Sequence, residues 1–153
     1  MIILLSLLSS AFFSGMEIAY VSSNRLNLEI EKKQKGIIPK LLSIITKDPS
    51  RFISTMLIGN SFALVIYGLF MGQFIVDNLS FLFLPSMNEL TILLLQTIIS
   101  TSLILIAAEF IPKVLFQIYS NLSMKIFSIP AFIFYIILYP ITSLVTITSN
   151  FIL

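Results

Sequence analysis

LTILLLQTIISTSLILIAAEFIPK, residues 90–113, decides how this chain folds. From Leu90 to Ile111 it carries one charge, Glu109, with Glu89 just outside. A run of that length and apolarity reads as a helix crossing a bilayer. A carboxylate inside such a helix costs roughly 2.5–3.5 kcal/mol on insertion scales. It is therefore retained for function, facing a partner, a cavity or an ion. Three residues on, Pro112 lacks the N–H that would bond the carbonyl of Ala108. That carbonyl must find another partner, and a cation is one candidate. An acid beside a freed carbonyl within a membrane points to a cation site.

The rest of the composition agrees with a membrane protein. Of 153 residues, 58% are hydrophobic and 10% charged, with mean hydropathy +1.05. Soluble domains carry about 25% charged residues. The net charge of +2 and the lack of a basic, aromatic-interleaved patch argue against nucleic-acid binding. Cysteine and histidine are both absent. That removes disulfides, thiolate nucleophiles and imidazole bases. It also removes the ligands that zinc, copper and iron prefer. Any metal held here takes oxygen ligands, which suit hard cations such as Mg2+ and Ca2+.

Working outward, a first span covers about 1–21. No basic residue precedes Arg25, and Phe12, Phe13 and Glu17 sit where a signal peptide would be cut, so it reads as a retained helix. Residues 22–50 are polar and basic. They fit two short amphipathic helices at the membrane surface, separated at Gly36, or else a solvated loop. Asp48-Pro49 supplies a cap and a first-turn proline for a second span over about 51–76. A polar link with Pro85 covers 77–89, and the third span covers about 90–119. Seven of the nine basic residues lie between Arg25 and Arg51, and none lies in the second link. The positive-inside rule then places the first link in the cytoplasm and the N-terminus outside, in a multi-pass cell (inner) membrane protein. Residues 126–153 carry no charge, and Pro130 and Pro140 divide them. Hydropathy leaves a fourth span and a kinked helix along the inner face equally open.

One polar constellation stands out. Ser10, Ser14 and Glu17 share a face of the first helix. Gly15 beside them permits close approach, and Gly59-Asn60 breaks the second span. At about 1.5 Å per residue, Ser14 lies roughly 12 Å from Ser22, Asn60 roughly 15 Å from Ser50, and Glu109 roughly 15 Å from Tyr119. Polar groups from three helices thus fall at similar depth, as in membrane ion sites with broken helices. Each has a plainer use. The serines could bond the carbonyl four residues back, and Asn60 could join two helices. Glu109 could pair with Lys113, and Glu17 could be capped near the interface by water or Asn24.

These residues resemble a known family. Ser10-Ala-Phe-Phe-Ser-Gly-Met-Glu17-Ile-Ala19, Leu57-Ile-Gly-Asn60 and Glu109-Phe-Ile-Pro112-Lys113 are similar to the motifs of the three helices of the CNNM/CorC magnesium transporters, in the same order. The resemblance implies an all-α integral membrane fold: three transmembrane helices, a cytoplasmic helical hairpin and a C-terminal juxtamembrane belt helix, spanning residues 1–153. It implies a homodimer among membrane lipids. It also implies a Mg2+ ion held by Ser10, Ser14, Asn60 and Glu109, with Gly15, Glu17, Gly59, Pro112 and Lys113 as helix-break and supporting positions. Met16 stands where relatives often carry a small polar residue, so no side-chain ligand is expected there. The family continues into cytoplasmic CBS domains that bind ATP. Nothing in this chain is like them, so it reads as an isolated transmembrane domain.

The function implied is Mg2+ transport, in the direction of efflux, with Na+ as coupling ion. The alternatives are a magnesium sensor that regulates other transporters and a membrane anchor for a cytoplasmic module. Enzymatic hydrolysis is not expected, because Glu109 lacks a His, a Cys or a second deeply placed Asp.

Overall fold

A computed structural model describes residues 1–78 and 88–152, with side chains placed up to residue 146. Pro85 in the second link, and the side chains of Thr148, Ser149 and Asn150, lie outside the described residues. Nearly everything described is helical. Among the described residues, three helices are long and apolar enough to cross a membrane: Ile2–Ser22, Pro49–Asn78 and Glu89–Ile118.

The first of these, α1 (Ile2–Ser22), is the central helix. It packs along α4 (Pro49–Asn78) on one side and against the lower half of the third span on the other. The start of α4 follows the expected chemistry. Asp48 Oδ1 accepts from the Arg51 N–H at 3.1 Å, and Pro49 opens the first turn. At 30 residues α4 is roughly 45 Å long, more than the hydrocarbon core needs. Its far end takes in Asp77, at the start of the polar link expected from sequence.

Between α1 and α4 lies the helical hairpin: α2 (Arg25–Lys32) and α3 (Ile37–Ile45). Asn24 caps α2, its side chain accepting from the N–H groups of Leu26 and Asn27 at 2.9 and 3.5 Å. Gly36 turns the chain at φ 146°, a conformation open to glycine and strained for other residues. A hydrogen bond from Lys32, together with its charge, holds the Glu29 carboxyl below the usual carboxylate range.

The hairpin is docked, not free. Leu42 and Ile45 are fully buried in a cluster with Phe52, Met56 and Met124. Leu42→Ala should therefore cost about 2–5 kcal/mol. Thermal unfolding in detergent checks this, and an unchanged midpoint would mean that the hairpin floats.

The third span is not one regular helix. It runs as α5 (Glu89–Leu103), a π-helical turn (Ile104–Phe110) and α6 (Ile111–Ile118). Its most apolar window contains no buried residue. In the half of the bundle away from the hairpin, it meets α4 through Tyr67, Met71 and Ile75, which pack with Ile99 and Leu103. There the Tyr67 hydroxyl donates to the Ser100 carbonyl at 3.2 Å, and Gln96 Nε2 lies close over Gly72.

The last stretch settles into α7 (Ser120–Ile126), α8 (Ser128–Ile137) and α9 (Tyr139–Ile152). Pro130 and Pro140 fall in the first turns of α8 and α9, where a missing N–H costs least. A fourth crossing would need α7 and α8 together, and they are bent by 65°. Instead α8 lies on α3 of the hairpin and on α4. The belt is thus a chain of short helices around the hairpin end of the bundle. It is clipped there by Lys125 to Glu31 at 2.7 Å and by Arg51 stacked 4.7 Å over the Tyr139 ring.

Candidate metal centre

The sequence places Ser10 and Ser14 one helical turn apart on α1, each aimed at a different neighbour. Both are buried, at 0% and 1% exposure. Ser10 Oγ donates to Asn60 Oδ1 at 2.6 Å, joining α1 to α4. Ser14 Oγ donates to the Ala108 carbonyl at 2.9 Å, joining α1 to the π turn. The carbonyl that Pro112 leaves without its usual donor is therefore met by a serine hydroxyl in this state.

Pro112 supplies the local break that the π turn accommodates. A proline ring clashes with the carbonyl four residues back as well as failing to bond it. Here that carbonyl is Ala108. Widening the preceding turn, so that the Ile111 N–H bonds the Ile106 carbonyl five residues back, takes Ala108 out of the ring's path. It also presents the Ala108 carbonyl to α1. Single π turns of this kind recur at functional sites. The sequence reading foresaw the broken ladder at Pro112 but not the π turn.

Glu109 follows on the same turn. Its carboxylate pairs with Lys113 Nζ at 3.8 Å, and its side chain is 30% exposed at the surface of the bundle. Among the described residues it makes no hydrogen bond to Ser10, Ser14 or Asn60. The structure thus brings together Ser10 with Asn60 and Ser14 with the residue before Glu109, while the carboxylate itself turns to Lys113. Glu17 is half-buried, with no hydrogen bond or ion pair among the described residues. Asn24, considered above as its partner, is occupied in capping α2.

The two glycines serve packing. A Cβ on Gly15 would fall 2.7 Å from the Phe116 ring, and one on Gly59 would fall 2.6 Å from Cζ of Phe13. The space at Gly15 is thus filled by an aromatic side chain, not by a neighbouring backbone. Met16 is fully buried in the core beside Phe52 and Met56, away from the polar face of α1. The contacts Tyr67–Ser100 and Gln96–Gly72, further from the hairpin, were missed from sequence. Gln96, the single amide between Leu90 and Ile111, was the available signal.

Chemically, the constellation offers two hydroxyls, one amide oxygen, one backbone carbonyl and one carboxylate. Among the described residues, no three His, Cys, Asp or Glu side chains are grouped so that they could hold a metal ion. A cation here would be held by one charge and several neutral oxygens. Binding it would require Ser10 and Ser14 to rotate their protons away from Asn60 and Ala108 and to lend lone pairs instead.

A protein-family model described as the cyclin M (CNNM) transmembrane N-terminal domain matches residues 1–153. A comparison with curated proteins finds no match.

Proposed function

The chain belongs to the cyclin M (CNNM) family of transmembrane domains, a transporter-type membrane family tied to divalent-cation transport or a related role, and on that footing we propose that it carries Mg2+ across the membrane. Glu109 supplies the charge, while Ser10, Ser14, Asn60 and the Ala108 carbonyl replace part of the ion's water shell. Mg2+ dehydrates reluctantly, so bound water completes the coordination. The observation that carries this reading is the pair of buried hydrogen bonds, Ser10–Asn60 and Ser14–Ala108. They link oxygens from all three spans, and Glu109 directly follows Ala108 in the chain.

Efflux, with Na+ as the coupling ion, is the direction we adopt from the family resemblance. The basic hairpin then faces the cytoplasm and the N-terminus faces outside the inner membrane. Two copies pair in our reading. A carboxylate 30% exposed on a membrane-spanning surface is costly toward lipid, and a second copy over the third span would cover it.

Asn60→Ala in proteoliposomes tests the reading. It removes one ligand and leaves Ser10 without its acceptor. We expect Mg2+-dependent flux to fall about ten-fold or more, as for lost groups around metal sites. Wild-type protein that binds Mg2+ yet gives no flux would make it a sensor. Wild-type flux in the variant would remove Asn60 from the site.

A further inference from the structure

A polar cavity lies beside the hairpin, and its lining shares no residue with the metal centre. It has a volume of about 450 Å3 and opens where α1 ends and α4 begins. Its wall has two characters. Val21 and Ile53, on the two spans, are apolar. Tyr20, Arg25, Lys32 and Thr46, at the mouth of the hairpin, are polar or basic.

The polar side has unspent capacity. Among the described residues Arg25 forms no ion pair, and the Tyr20 hydroxyl makes no hydrogen bond. Glu29 also lines the cavity, and its carboxylate is held by Lys32 at 2.6 Å. One guanidinium charge therefore remains over, which suits one phosphodiester. The surrounding field has the same sign. Residues 25–51 hold seven basic and three acidic side chains, and Lys33, Lys35, Lys40 and Lys47 are exposed.

We propose that this cavity is a binding site for the headgroup of an anionic phospholipid from the leaflet that borders the hairpin. Arg25 and the Tyr20 hydroxyl would hold the phosphodiester, and an acyl chain would descend past Val21 and Ile53. Position, polarity and charge each select this occupant. The cavity sits at the ends of two membrane-spanning helices, where lipid phosphates lie. Val21 and Ile53 on the two spans give it an apolar side for an acyl chain, and its excess charge is positive. Basic clusters beside spans attract anionic lipid, each residue contributing about five-fold in affinity.

The test is thermal unfolding of the whole chain in neutral detergent, titrated with phosphatidylglycerol, phosphatidylcholine or glycerol 1-phosphate. Phosphatidylglycerol should raise the midpoint, with little response to the other two. Arg25→Gln should raise the half-saturating concentration about five-fold. Arg25→Lys should recover most of the effect, and Lys40→Gln, outside the cavity, should change it much less than Arg25→Gln does. The lipid-free midpoints report whether each variant is folded. No response to phosphatidylglycerol would overturn the site. So would equal losses in Arg25→Gln and Lys40→Gln, which would spread the attraction over the whole basic surface. An equal response to glycerol 1-phosphate would assign the cavity to soluble phosphate esters and overturn the lipid assignment.

Discussion

Glu109→Gln is expected to lower Mg2+-dependent flux in proteoliposomes by about a hundred-fold or more, without loss of thermal stability. The substitution keeps the size of the side chain and removes the negative charge offered to the ion. Groups that only support a metal ligand are worth about 10–100-fold in affinity, so the charged ligand itself should be worth at least the upper figure. The stability readout separates two roles. A carboxylate kept only for its 3.8 Å pair with Lys113 would leave an uncompensated ammonium when lost. An unpaired ammonium on a membrane-spanning helix is costly, so loss of the carboxylate would lower stability. Lower stability with intact flux would therefore assign Glu109 to structure. Intact stability with lost flux would assign it to the ion.

The second large effect is expected at Gly59. Gly59→Ala would place a methyl group against the Phe13 ring, with Cζ at 2.6 Å. Phe134 meets that ring edge-on at 4.8 Å and Phe12 at 5.3 Å. Overpacking of this kind costs about 1–3 kcal/mol. Gly59 precedes Asn60, so the separation of α1 from α4 would fall on the Ser10–Asn60 bond, and Mg2+ binding should weaken too. Gly68→Ala on the same helix is the control. A Cβ there meets nothing within 4 Å, and alanine is favoured over glycine in a helix by up to about 1 kcal/mol. The unfolding midpoint should fall for Gly59→Ala and hold or rise for Gly68→Ala. Equal behaviour would show that the Phe13 contact carries no constraint.

Much of this architecture is legible in the sequence because membranes restrict backbone choices severely. Three apolar runs had to be helices. Asp48-Pro49 marked the start of α4, and Gly36 marked the turn of the hairpin. Counting 1.5 Å per residue put Ser14, Asn60 and Glu109 near one depth. Rise along a helix fixes depth but not which neighbour a side chain meets. Ser10 turns to Asn60 and Ser14 to Ala108, and nothing local distinguishes the two serines. The π turn was hidden for a related reason. Pro112 shows that a carbonyl is freed, while the way the chain accommodates it depends on α1 alongside. Pro130 and Pro140 showed that the last stretch breaks. Its path around the hairpin is set by tertiary contacts of α8 with α3, which periodicity does not encode.

The position of the ion tests the central claim most directly. Crystals grown with Mn2+ in place of Mg2+ would mark it by anomalous scattering, since Mn2+ favours similar oxygen ligands. We expect one strong peak per chain between Ser10, Ser14, Asn60 and Glu109. Its oxygen ligands should lie at about 2.0–2.2 Å or be bridged by water, with the Ser10–Asn60 hydrogen bond opened. A peak only at exposed carboxylates, with Ser10 still bonded to Asn60 and Glu109 still paired with Lys113, would contradict it.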